Sequence, residues 1–186
     1  EGIGRADENT HEPGFYQFRR NYDSGLGGWG GAPKFPRPAT NNFLLRYAVH
    51  AKNEEADEMV LLTLREMAKG GMNDQIGGGF HRYSVDARWF VPHFEKMLYD
   101  QAQLATSYLE AYQRSGDESF AQTARNIFEC VLRDMTLVDG GFFSAEDADR
   151  VINPSKPHEK GEGAFYIWSQ DEINAVLWRA CDTFRG

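Results

Sequence analysis

Apolar residues recur at helical spacing in four stretches of the chain. In each stretch they return every three or four positions, the period that places them on one face of an α-helix. The stretches are Thr40–Lys52, Glu54–Lys69, Phe94–Arg114 and Asp117–Thr136. The sequence therefore predicts four amphipathic helices, and the short link at 115–117 predicts that the last two form an antiparallel hairpin.

Capping signals predict where these helices begin and end. Thr40 is the expected N-cap of the first helix, and Gly70 with Gly71 is expected to end the second. A fifth helix is expected to begin at Ser169, because Ser169 and Glu172 have the Ser-x-x-Glu spacing of a capping box.

Glycine pairs at 27–28, 70–71 and 140–141 each follow an apolar-periodic segment and precede an aromatic-rich loop and another helix. This repeated order predicts outer and inner helices that alternate, with the long loops at one end. The fold class expected is therefore all-α, a toroid of helical hairpins. Residues 1–186 would form one partial domain of about three hairpin units, and a closed ring would need about twice this length.

An insertion at 77–92 interrupts this pattern and is expected to form a small β-hairpin within about 79–92. Its strands would be Phe80–Ser84 and Arg88–Val91, joined by a turn at 85–87.

Composition excludes several classes of partner. A net charge of −8 without a run of Lys or Arg argues against nucleic acid or an anionic membrane, and no apolar run approaches the length of a membrane span. Cys130 and Cys181 form neither a redox pair nor a zinc ligand set, and Cys130 falls on a predicted apolar helix face. A cytoplasmic, reducing location is expected. The glycine runs match neither a P-loop nor a dinucleotide fingerprint, so no cofactor is expected.

The segment 77–101 contains the densest group of candidate catalytic residues. His81 and His93 could exchange protons with a substrate, with Glu95 beside them. Strand alternation would place Tyr83 on the side of His81 and Arg82 on the other side. Glu95 and Asp100 would diverge by about 140° on a helix, so Asp100 is expected to be a core anchor. The alternatives are that the His and Tyr brace the hairpin and that Glu95 only complements the helix dipole.

Further candidates lie on the other loops. Glu146, Asp147 and Asp149 could act on a glycosidic bond, or they could be solvated charges; their spacing matches no EF-hand, and no metal is expected. Asp74 with its neighbour Gln75 could bind a ligand hydroxyl, with turn formation as the alternative for Asp74. Lys34 lies in a proline-rich loop that could hold it inward or leave it on the surface.

Flat aromatic side chains accompany these polar groups, and this mixture suits a carbohydrate pocket. The residues expected to bind substrate are Trp29, Lys34, Asp74, Gln75, Arg82, Tyr83, Arg88, Trp89, Asp149, Tyr166 and Trp168. The residues expected to be catalytic are His81, His93, Glu95, Glu146 and Asp147.

Five motifs together resemble the YyaL-like, spermatogenesis-associated protein 20-like family of thioredoxin-domain-containing proteins. They are GGWGGAPKFP at 27–36, DQIGGGFHRYSVD at 74–86, WFVPHFEKMLYDQ at 89–101, GFFSAEDAD at 141–149 and EGAFYIW at 162–168. The resemblance implies a thioredoxin-like domain followed by a six-hairpin (α/α)6 toroid similar to N-acylglucosamine 2-epimerases and related glycosidases. The residues before Gly27 are too few for the thioredoxin-like domain, so this chain is expected to contain the first half of the toroid only.

Two classes of function are therefore expected. One is a carbohydrate-active site with epimerase, isomerase or glycosidase chemistry on a small saccharide. The alternative is a toroid that binds a saccharide or a protein without catalysis, or an inactive fragment of a larger protein. An exposed flank of a partial toroid would also favour a homo-oligomer.

Overall fold

The computed structural model describes residues 11–152 and 155–183. The chain divides after Glu146 into two compact units. The first unit contains five helices in its described part: α1 (His11–Arg20), α2 (Pro38–Ala51), α3 (Glu54–Lys69), α4 (Leu98–Ser115) and α5 (Glu118–Asp134). All four predicted amphipathic helices are confirmed. Because only Gly116 and Asp117 separate α4 from α5, these two helices pack as the expected antiparallel hairpin.

Short strand pairs connect the loops. In the first unit β1 (Tyr83–Ser84) pairs with β2 (Pro92–His93), and β3 (Lys96–Met97) pairs with β4 (Ala145–Glu146), both antiparallel. In the second unit β5 (Asp149–Val151) pairs with β6 (Lys160–Glu162), and α6 (Gln170–Thr183) follows.

The predicted β-hairpin is confirmed, but its first strand is limited to Tyr83–Ser84 and its second strand is not at Arg88–Val91. The carboxylate of Asp86 accepts hydrogen bonds from the backbone N–H groups of Arg88, Phe90 and Val91. These bonds curl the segment into a loop, so pairing resumes only at Pro92.

Two predicted helix starts are wrong. The helix expected from Phe94 begins at Leu98, because Lys96 and Met97 are paired with β4; Glu95 therefore lies outside the helix, and the helix dipole does not explain it. The helix expected at Thr40 begins at Pro38, a residue favoured in the first turn because it lacks an N–H. The capping box at Ser169 is confirmed by reciprocal hydrogen bonds with Glu172.

The core of the first unit lies between the helices and extends under the loops. Its buried members include Leu44, Val60, Leu64, Leu104, Tyr108 and Phe120. Trp89 reaches the core from a loop, which passes so close to the end of α3 that a Cβ on Gly70 would lie 2.2 Å from the Trp89 carbonyl oxygen. A glycine is needed at 70 because of this approach. No helix within 11–152 and 155–183 has an apolar run long enough to cross a bilayer.

Candidate functional site

The long connections of the first unit are hydrogen-bonded to one another. Lys34 and Ser84 exchange backbone hydrogen bonds. The N–H of Arg82 donates to the carbonyl of Glu95, and the N–H of Leu98 donates to the carbonyl of Ser144. Segments 27–37, 72–97 and 140–146 therefore form one assembly, which we name the loop cluster. The convergence expected from the glycine-paired repeat is confirmed within this unit.

Three aromatic rings form a stack on the loop cluster. The ring centroids of Phe35 and Tyr83 are 4.8 Å apart, and those of Tyr83 and His93 are 5.0 Å apart. Tyr83 and His93 are direct partners in the β1–β2 pair, and partners across antiparallel strands project to the same side. Phe35 ends the stack and is 36% exposed.

Four polar side chains form a line from this stack to helix α4. The Nε2 of His93 and the Nε of Arg82 each lie 3.8 Å from the same oxygen, Oε2 of Glu95. The Nη1 of Arg82 lies 3.4 Å from Oδ2 of Asp100. We name His93, Glu95, Arg82 and Asp100 the charge chain. Its contacts have ion-pair distances, and its arginine also lies over the Tyr99 ring, with Cζ 5.3 Å from the centroid.

The charge chain contains a carboxyl group with altered acidity. Burial raises the pKa of Asp100 to about 6; the positive charge of Arg82 opposes this increase and the negative charge of Glu95 adds to it. Asp100 therefore titrates close to neutral pH, which is the range in which acid–base groups are most effective.

His81 is enclosed by protein although it is close to the charge chain in sequence. Its ring meets that of Phe94 edge-on at 5.2 Å, and only 2% of the residue is exposed. Burial, assisted by the charge of Lys96, lowers the pKa of His81 to about 4, so the imidazole is neutral at physiological pH. We therefore leave His81 out of the groups proposed to touch a substrate.

Three of the expected substrate-binding residues are enclosed in the same way: Trp29, Lys34 and Trp89. The Nζ of Lys34 donates to Asp23 at 2.8 Å and to the carbonyl of Ala87 at 3.1 Å, and it lies 5.0 Å from the Trp89 ring centroid. The indole N–H of Trp89 donates to the carbonyl of Leu26. These contacts support the loop cluster from below, so we assign these three residues to its scaffold.

Asp74 and Gln75 are engaged with the turn that contains them. Oδ1 of Asp74 accepts the backbone N–H groups of Ile76 and Gly77, which confirms the turn interpretation. The amide of Gln75 donates to the carbonyls of Ala68 and Gly70. Arg88 is exposed in the loop closed by Asp86, away from the charge chain along the hairpin.

A residue that the sequence analysis missed, Lys96, is buried beneath the loop cluster. Its Nζ donates to Oδ2 of Asp74 and to the carbonyl of Gly78, both at 2.8 Å. Lys96 and Glu146 are direct partners in β3–β4 and therefore project to the same face.

The remaining candidates lie in the second unit. Asp149 belongs to β5, where its N–H donates to the carboxylate of Asp147; Trp168 is exposed and Tyr166 half-buried. Within the described residues, no three side chains of His, Cys, Asp or Glu are grouped to hold a metal ion.

Comparisons with known proteins found relatives by sequence and, separately, solved structures with a similar fold. No family model matches it. Human spermatogenesis-associated protein 20 is 46% identical over 167 residues, which is 88% of this chain and 21% of that protein. The chain thus spans about a fifth of the length of the curated relatives it matches.

Solved structures share its fold at low identity. A sugar epimerase from a ruminal bacterium superposes with a TM-score of 0.63 at 18% identity, over 72% of this chain and 37% of the epimerase. A glycoside hydrolase family 76 mannosidase from Bacteroides thetaiotaomicron superposes with a TM-score of 0.61 at 14% identity, over 84% of this chain and 44% of the mannosidase. The expected fold, helical hairpins of an (α/α)6 toroid, is confirmed.

Proposed function

Since this chain is homologous to one segment of spermatogenesis-associated protein 20 and has the fold of toroid epimerases and glycosidases, we propose that its loop cluster binds a small saccharide and performs acid–base chemistry on it. The observation that carries the proposal is the charge chain beside an aromatic stack, on the side where the hairpin connections meet. Apolar ring faces with charged groups beside them suit a sugar, which has both C–H faces and hydroxyl edges.

The aromatic stack is the proposed sugar platform. The Tyr83 ring stacks against the rings of both Phe35 and His93 and carries a phenol hydroxyl. Phe35 lies at the end of the stack and is partly exposed. We therefore assign Phe35 the contact with the sugar face and Tyr83 the hydrogen bond to a sugar hydroxyl.

His93 is the proposed base. An imidazole can accept a proton near neutral pH, and a carboxylate 3.8 Å away stabilises the imidazolium that results. In an epimerisation or isomerisation, His93 would take a proton from the carbon beside the sugar carbonyl and Glu95 would hold the ring in position.

Deuterium exchange tests this proposal. The chain and the full-length homologous protein are incubated in D2O with a panel of mono- and disaccharides, and the sugars are observed by NMR. Incorporation of deuterium beside the carbonyl supports epimerase or isomerase chemistry, and release of a reducing end supports hydrolysis. His93→Gln and Glu95→Gln should each lower the rate about 100-fold or more.

The matched control is His50→Gln, because His50 is exposed on α2 and its ring lies 6.2 Å from that of His11. This variant should retain the rate. The proposal fails if no sugar shifts the His93 resonances and no sugar is transformed.

Saccharide binding without turnover is the second candidate. The burial of His81 favours it, because an epimerase needs groups that reach both faces of the reacting carbon and this histidine does not reach the surface. Sugar-dependent shifts of His93 without deuterium incorporation would select this candidate. A reducing, cytoplasmic location also remains our proposal, supported by the free, buried thiol of Cys130.

A further inference from the structure

Asp100 has a specific place in the charge chain that its sequence position did not reveal. We propose that Asp100 is a positioning residue that sets the basicity of His93 by acting through Arg82 and Glu95. This inference deepens the proposed function, because it rests on His93 as the base.

Arg82 is held by three neighbours, one of them before β3 and two in α4. Its closest charged contact is with Asp100 at 3.4 Å, against 3.8 Å for Glu95, and the Tyr99 ring lies beneath its guanidinium. Asp100 lies in the first turn of the long helix α4, and its side chain is 11% exposed, whereas that of Glu95 is 32% exposed. The rigid, less exposed member therefore fixes where Arg82 lies.

Glu95 is shared between two cations. Its Oε2 is equally distant from Arg82 and from His93. A carboxylate stabilises a neighbouring imidazolium, and a guanidinium that draws on the same oxygen weakens that effect. The support that Glu95 gives to His93 therefore depends on how far Asp100 offsets the charge of Arg82.

Other titratable groups near His93 include Tyr83, His81 and Lys96. The ring of Tyr83 is stacked on that of His93. His81 interacts electrostatically with His93, but it is neutral at physiological pH. Lys96 is paired with Asp74 beneath the loop cluster.

Proton NMR of the five histidines measures the effect without any sugar. The His93 signal is assigned by its loss in His93→Gln. Removing the charge at position 100 should strengthen the pull of Arg82 on Glu95, so Asp100→Asn should lower the titration midpoint of His93 by about half a pH unit. Arg82→Gln should raise that midpoint by a similar amount.

The double variant Arg82→Gln/Asp100→Asn distinguishes a relay from a general field. If Asp100 acts through Arg82, the double variant should titrate like Arg82→Gln alone. Additive shifts, or no shift in Asp100→Asn, would overturn the inference. Asp100→Ser carries the same prediction if the Asn variant does not fold, and His50 in the same spectra is the internal control.

These outcomes are independent of the proposed function. A failed sugar panel leaves the titration results intact, and an active enzyme with additive shifts would keep the function and remove the role of Asp100.

Discussion

The Nζ of Lys96 and the Oδ2 of Asp74 lie 2.8 Å apart beneath the loop cluster, and the lysine side chain is almost completely enclosed. Burial disfavours the ionised form of Asp74, but Lys96 and the N–H of Gly77 outweigh it, so the pKa of Asp74 is lowered. The pair joins β3 to the turn at 74–79. It thereby fixes the strand that leads from Glu95 into α4.

Breaking this pair should destabilise the protein strongly. Lys96→Met would leave the Asp74 carboxylate without its cation in a largely buried site, at a cost of about 3–5 kcal/mol in the free energy of unfolding. Urea denaturation followed by circular dichroism measures the change. Lys69→Met is the matched control, because Lys69 forms an exposed ion pair of similar length with Glu66, and it should cost less than about 1 kcal/mol.

Neutralising Asp100 should have the opposite effect on stability. Burial raises its pKa to about 6, above its value of about 4 in an unfolded chain, so folding takes up a proton. The stability contributed by this proton is complete below about pH 4 and is lost as the pH rises through about 6. Asp100→Asn should therefore be more stable than the parent by about 1–3 kcal/mol at pH 8.

The pH series provides the check on this prediction. Unfolding free energies of the parent and of Asp100→Asn should converge by about pH 4, where the parent carboxyl is also neutral. A difference that stays constant from pH 4 to pH 8 would show that the titration of Asp100 is not responsible.

Local sequence patterns predicted the helices of this fold, because the 3.6-residue periodicity of apolar positions is contained within each helical segment. The hairpin of α4 and α5 follows from its two-residue link, and the capping box at Ser169 from four adjacent residues. The position of Glu95 could not be predicted in this way. It depends on the pairing of Lys96 with Glu146, fifty residues later in the chain, and this pairing delays the start of α4.

Local sequence patterns also could not predict which of the candidate site residues are buried. Alternation places His81 and Tyr83 on one side of a strand, but packing against Phe94 encloses only the histidine. Lys34 shows the same limit: the prolines around it predict a rigid loop, whereas its contact with Asp23 under the Trp89 ring determines its inward direction.

Gly70 should tolerate no side chain. A Cβ at this position would lie 2.2 Å from the carbonyl oxygen of Trp89. This oxygen belongs to the backbone, so it cannot rotate away as the end of a flexible side chain could. Gly70→Ala should therefore separate the loop from α3 and cost about 2 kcal/mol or more in thermal or urea unfolding. Gly31→Ala is the control, because no atom lies within 4 Å of the Cβ it would gain. Equal stability of the two variants would contradict the close approach.

Self-association through α5 is the last expectation to test. Phe128 and Leu132 are four residues apart, on one face of this helix, and they are 50% and 65% exposed. Adjacent exposed apolar side chains favour association because contact removes them from water. The chain should therefore form oligomers that increase with concentration in sedimentation velocity experiments. Leu132→Glu should shift this equilibrium to the monomer, whereas Val49→Glu, at a similarly exposed position on α2, should not. A monodisperse monomer at high concentration would contradict association through this face.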